Sequence, residues 1–199
     1  MNRSIYVTLI RHGPTAWTAE GRLQGQSDLP LSPEGEAQVA RWRLPSDLER
    51  LQVTGGLSWV SSPLRRAVQT AHRLGASAPV LDPRLMEAHT GEWTGFRLEE
   101  VKVLEGAGWD WRPPGGESPR QVLTRVRAWL DEVATRGGPE TWIAVTHRGV
   151  IRVLLAASIG WDLQVSAPFR LLPERAHRVR RRGDGHLQLL TLNEPLTPP

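Results

Sequence analysis

The 199-residue chain has no cysteine. That excludes disulfides, thiolate nucleophiles and cysteine-ligated metals. It has one lysine, Lys102, against 24 arginines, so its positive charge sits almost wholly on guanidinium groups. No apolar run is long enough for a membrane span. The longest clear stretch, residues 153–161, falls far short of the roughly 20 residues a bilayer requires, and no membrane partner is expected. The first strand is expected from about residue 4, which leaves no room for a signal peptide and makes the cytoplasm the expected location. Internal repeats are absent. With 39% hydrophobic residues, residues 1–199 read as a single α/β domain.

The net charge is only +4. The densest basic run spans residues 170–182 and includes Arg175, Arg178, Arg180, Arg181 and Arg182. It could be a nucleic-acid face. A charged hairpin strand is the better reading, because Gly183-Asp184-Gly185 follows as a turn and charged edges resist strand aggregation. No nucleic-acid partner is therefore expected. The sequence leaves a homodimer open.

Two short stretches share one design. VTLIRHG (7–13) and WIAVTHRG (142–149) each end an apolar β-type run in a His beside an Arg, with Gly close behind. Continuous Val/Ile/Leu runs read as buried parallel strands. Open α/β sheets bind ligands at the carboxyl ends of such strands. His12 and His147, 135 positions apart, are thus expected together at one sheet edge with Arg11 and Arg148. Two imidazoles and several guanidiniums around one point suit a phosphoryl group.

A third segment, LSWVSSPLRRAVQTAHR (57–73), reads as a strand, N-capping serines Ser61 and Ser62, Pro63 at the first helical position and a helix. Arg65 and Arg66 then lie in its first turn, where the helix dipole disfavours cations and an anion would relieve them. Arg65 reads as a surface residue and Arg66 as the site candidate.

In their order, LIRHGPT (9–15), GRLQGQSDLPLSPEGEAQ (21–38), SSPLRRAVQTA (61–71), LMEAHTGEWTG (85–95), PPGGESP (113–119) and VTHRGVIR (145–152) resemble the histidine phosphatase superfamily, in its phosphoglycerate mutase-like branch. The tail 186–194 resembles the family's closing strand. The resemblance implies that His12 becomes phosphohistidine, Arg11 and Arg66 clamp the phosphoryl oxygens, Glu87 donates the proton and His147 completes the phosphate pocket. Gln24 and Gly25 match a loop that lines the substrate pocket. There are departures. Pro14 follows Arg-His-Gly where many relatives have Glu. Thr18 follows Trp17 where many have a phosphate-touching Asn. Arg148 follows the second His where Gly is common.

The chemistry needs this set. Phosphoryl transfer passes through a loose transition state with charge on three equatorial oxygens, so catalysis is mostly positioning and electrostatics. Arg binds two such oxygens at once and stays charged. A neutral imidazole makes the in-line attack, and the departing alkoxide needs a proton. No cofactor is implied. Two His and a Glu could suggest a metal, but the arginines repel a cation and no third spaced His stands out. Glu87 and His147 are only 60 positions apart. The resemblance places a long covering insertion in that interval in the glycolytic mutases, and an Arg just after the Glu where this chain has Ala88. A phosphatase acting on a small phosphate monoester is therefore expected over a mutase. A catalytically silent phospho-ligand binder is the alternative outside the class.

The expected fold is a single α/β domain with a mostly parallel sheet covered by helices on both faces and a C-terminal hairpin as an antiparallel edge. Strands are expected near 4–10, 57–61, 79–82 and 141–146. Helices are expected from 34, then at 46–52, 63–74, 96–106, 118–136 and 148–159. Trp93 is expected near the pocket mouth.

Overall fold

A computed structural model describes residues 3–101 and 108–196. Its centre is a six-stranded sheet in the order β3-β2-β4-β1-β5-β6. The strands are β1 (Ile5–Arg11), β2 (Leu57–Ser61), β3 (Val80–Leu81), β4 (Thr141–Thr146), β5 (Arg175–Arg181) and β6 (Leu187–Pro195). β3, β2, β4 and β1 run parallel, and the terminal hairpin β5–β6 pairs antiparallel to β1. This is the expected architecture.

Alternation within β1 and β4 explains their unbroken apolar runs. Ile5, Val7, Leu9, Trp142 and Ala144 pack on one face beneath α5 (Pro119–Thr135) and α6 (Arg148–Ile159). Ile10 and Ile143 face the other way, towards Val39 of α2 (Pro33–Val39) and Leu48 of α3 (Ser46–Val53). Val145 packs on Ala67 and Ala71 of α4 (Arg65–Arg73). A strand buried on both faces has no polar side to show. The large core side chain Trp129, on α5, meets Trp142 edge-on at 6.0 Å.

The expected boundaries hold to within two residues for most elements. A four-residue helix, α1 (Ala16–Ala19), lies in the stretch expected to be loop and is closed by a capping box between Thr15 and Thr18. α4 begins later than expected. Its cap position is Leu64, not Ser61 or Ser62. Those serines are buried, and Ser62 serves the site instead. The helix expected over 96–106 is absent over 96–101, which forms a bend, an isolated bridge and turns. The backbone there is spent on residues 21–23: Leu23 N donates to Phe96 O, Leu98 N donates to Gly21 O, and Arg22 pairs with Arg97. Residues 102–107 lie outside the described ones.

Part of the basic hairpin is paired with carboxylates or stacked on a ring. Arg178 bonds Asp47 and Glu194, Arg181 bonds Asp131, and Arg180 lies over the Tyr6 ring. Among the described residues no helix is long and apolar enough to cross a membrane.

His177, on β5, is buried and accepts a hydrogen bond at Nδ1 from the Asn193 backbone N–H at 3.2 Å. Burial lowers its pKa to about 4, against roughly 6.5 unfolded. The unfolded chain therefore binds the extra proton between these values, and stability falls as the pH drops from about 6.5 towards about 4. Urea unfolding at pH 7 and pH 5 should show that loss. His177→Gln, which keeps an acceptor, should flatten the dependence by one proton's share.

Candidate active site

The site forms where β1 and β4 end side by side. Arg11 stands opposite Thr146 in the parallel register. His12 N then donates to Thr146 O at 3.0 Å, and Ser62 N at the end of β2 donates to Val145 O at 3.0 Å. His12 and His147 are therefore each the first residue past its strand, with ring centroids 5.0 Å apart. The two matching strand-His stretches meet as expected.

His12 is 6% exposed. Its Nδ1 lies 2.7 Å from Gly13 O. A carbonyl can only accept, so Nδ1 carries the proton and Nε2 keeps its lone pair. Burial first, then Arg11 and Arg66, hold the His12 pKa well below the ordinary imidazole value, which keeps that lone pair free at neutral pH. Gly13 N donates to Thr70 Oγ1, which in turn donates to Arg66 O, so β1's end and α4 are tied together.

Arg66 is fully buried. Its Nη1 and Nη2 donate to Ser27 O and Gly25 O at 2.6 and 2.8 Å, which steers the guanidinium from α4 towards the loop after α1. Arg65 is exposed. Gly25 has φ +47°, and a Cβ there would come within 2.3 Å of Thr90 Oγ1, so a larger residue would push the two walls apart. Gln24 Nε2 donates to Thr18 Oγ1 at 2.9 Å. Thr18 thus braces Gln24.

His147 Nε2 lies 2.8 Å from Ser62 Oγ. Burial, His12 and then Arg66 push its pKa well below the ordinary imidazole value. Arg148 opens α6 and is exposed. Its charge reaches Arg11, whose pKa is lowered mainly by burial, while Glu87 acts in the opposite direction.

Glu87 comes from the loop between β3 and α5. Its carboxylate accepts from Ala88 N at 2.9 Å and from Gly149 N at 3.1 and 3.2 Å, so it sits at the N-terminus of α6 beside His147. Trp93 stacks at a tilt on Trp111, 5.4 Å between centroids.

Four buried polar atoms of this cluster lack a protein partner: Arg11 Nε, Arg66 Nε, His147 Nδ1 and Gln24 Oε1. Each such atom costs on the order of 1–3 kcal/mol unless something else satisfies it. They make up half of all such atoms among the described residues, so the cost is concentrated at one place. Among the described residues no group of three or more His, Cys, Asp or Glu could hold a metal ion.

All nine residues expected at the site fall in these adjoining segments. Ser62, Thr70 and Gly149 were not anticipated as parts of it, nor were Gln26, Glu117 and Arg125, which bond the backbone of the Glu87 loop. Ser62 and Gly149 stand inside motifs that were recognised, whereas Arg125 sits mid-helix with no local signal.

Residues 7–195 match the histidine phosphatase superfamily, branch 1. The chain belongs to this superfamily. It is 36% identical over 171 residues to a glucosyl-3-phosphoglycerate phosphatase of Mycolicibacterium vanbaalenii, covering 77% of this chain and 74% of that one. It is 32% identical to phosphoserine phosphatase 1 of Hydrogenobacter thermophilus, covering 80% and 78%. A probable phosphoglycerate mutase GpmB of an Enterobacter species is 31% identical, covering 84% and 80%. A solved mycobacterial glucosyl-3-phosphoglycerate phosphatase superposes with a TM-score of 0.78 at 28% identity, covering 96% of this chain and 100% of that one. The family thus accounts for the order of the motifs along the chain.

A Cβ at Gly149 would lie 2.3 Å from Glu87 Oε1, the movable end of a side chain. Gly149→Ala should therefore displace the carboxylate rather than break the fold. Ala also suits a helix by up to about 1 kcal/mol over Gly. The expected result is an unchanged or raised melting temperature with kcat on an alkyl phosphate reduced by about 10²-fold or more, measured by phosphate release.

Proposed function

We propose that the protein is a metal-independent phosphatase that hydrolyses small phosphate monoesters through a phosphohistidine on His12. The observation that carries this reading is that the unpartnered buried atoms Arg11 Nε, Arg66 Nε and His147 Nδ1 belong to the same residues that surround His12: the His147 ring lies 5.0 Å from its ring, and Arg11 and Arg66 both act on its charge. A phosphoryl group offers three acceptor oxygens to such donors. The phosphatase-named relatives support the same reaction class.

In this mechanism His12 Nε2 attacks phosphorus in line, while Nδ1 keeps its proton on Gly13 O. Arg11 and Arg66 hold the equatorial oxygens. Ser62 Oγ accepts from Leu64 N; the mechanism uses its hydroxyl proton on His147 Nε2, the tautomer in which His147 carries its own proton on Nδ1 to serve a phosphoryl oxygen. Glu87 protonates the departing alkoxide, then takes a proton from the water that attacks phosphohistidine. Gln24, Gly25, Thr18 and Arg148 line the approach for the alcohol half. The proposed partner is a small molecule, neither nucleic acid nor membrane, because Arg178 and Arg181 are already paired with carboxylates. The proposed setting is the cytoplasm.

Excess EDTA should leave turnover intact, and acid-labile, base-stable phosphate should appear on the wild-type chain. His12→Ala should abolish both the label and turnover. Full-rate phosphate release from that variant would place the nucleophile elsewhere, and chelator sensitivity reversed by one divalent ion would overturn the metal-free mechanism.

Glu87→Gln keeps size but cannot donate the proton. For alkyl phosphates kcat should fall roughly 10²–10⁴-fold. p-Nitrophenyl phosphate, whose leaving group needs no proton, should lose less when phosphorylation of His12 limits the rate. Glu92→Gln, in the same loop and exposed, should change little.

A further inference from the structure

Among its described residues, the loop that carries Glu87 has no helix or strand beyond two short 3₁₀ turns at Pro83–Leu85 and Gly91–Trp93. A general acid needs better placement than such a loop supplies alone. Its anchor lies on α5, the 17-residue helix beneath it. Arg125 Nη1 donates to Arg84 O at 2.6 Å, and its Nη2 donates to Glu87 O at 3.1 Å. The other edge of the same guanidinium makes a fork with Glu117, Nε to Oε1 at 2.9 Å and Nη2 to Oε2 at 3.0 Å. Glu117 Oε2 in turn accepts from His89 N at 2.9 Å, and Glu117 N donates to His89 O at 2.9 Å. Gln26 Nε2 supplies a second bond to Glu87 O at 3.1 Å. The backbone is thus gripped three residues before Glu87, at Glu87 itself and two residues after.

Both partners are sheltered, Arg125 at 18% and Glu117 at 23% exposed. Burial alone would raise the Glu117 pKa, but the bonds from Arg125 and His89 hold it below the usual carboxylate range. The pair is therefore ionised and matched. Arg125 fixes the loop through carbonyl oxygens, while Glu117 offsets its charge beside Glu87.

We infer that Arg125, locked by Glu117, is a positioning residue for the proton donor, setting where the Glu87 carboxylate meets the leaving oxygen. The inference rests on Glu87 being the acid. A lost grip should therefore matter in proportion to how much the leaving group needs a proton.

The test is single-turnover phosphorylation of His12 by a series of aryl and alkyl phosphates, plotted as log rate against leaving-group pKa. The wild type should give a shallow slope and Glu87→Gln a steep one. Arg125→Met should steepen the slope, with a loss on the order of 10–10²-fold for alkyl esters, as about 1 Å of misplacement can cause. p-Nitrophenyl phosphate should be little affected. Glu117→Gln, which keeps the shape and weakens the fork, should move the slope the same way, and it supplies the comparison if Arg125→Met fails to fold. In a Glu87→Gln background Arg125→Met should add little for alkyl esters. Equal loss for every leaving group, an unchanged slope in both variants, or undiminished loss in the Glu87→Gln background would overturn the proposal. A wild-type slope in Glu87→Gln itself would instead overturn the acid assignment on which it rests.

Discussion

The site depends on one pairing, the parallel ladder between β1 and β4. These strands are far apart in sequence and adjacent in the sheet. Their register sets Arg11 opposite Thr146, so each His leaves its strand at the same level. Because side chains alternate between faces, slipping either strand by one residue would turn its own core residues, Ile10 on β1 or Ile143 on β4, into the opposite layer. The core on both faces therefore fixes the spacing of the imidazoles. The precision of the site is inherited from packing that touches no ligand.

Burial then tunes what the ladder positions. His12, His147 and Arg66 lie among the most enclosed polar residues of the chain. Low polarity keeps both imidazoles neutral, and the neighbouring guanidiniums act in the same direction. A hydrogen bond to a carbonyl settles which nitrogen of His12 holds the proton. The proposed nucleophile and the proposed clamp thus share one desolvated setting. Glu87 differs. It sits on a loop, its carboxylate held by backbone N–H groups of Ala88 and Gly149, and the loop backbone is held both by Arg125 of α5 and, through Leu85 O, by Thr146 of β4.

Much of this was legible in the chain. Val/Ile runs ending in His revealed β1, β4 and their shared edge, because a strand covered on both faces has only one kind of sequence. Arg66 could be separated from Arg65 once the motif was recognised. Ser62 was misread as a cap: a serine before Pro and a helix carries the local pattern of a cap, and only the tertiary contact with His147 reveals its use. Residues 96–101 failed for a related reason. Their composition permits a helix, but pairing with residues 21–23 claims the backbone. Arg125 was invisible because a mid-helix arginine looks the same whether it faces solvent or grips a loop carbonyl.

The unpartnered atoms of Arg11, Arg66 and His147 have a consequence for throughput. An oxyanion that satisfies them recovers part of what their burial costs, and anything that binds only the folded state stabilises it by mass action. Inorganic phosphate has the same oxygens as the group being cleaved. In the proposed mechanism a pocket that grips the ester through these atoms also grips the product, so bound phosphate should both stabilise the fold and compete with the ester.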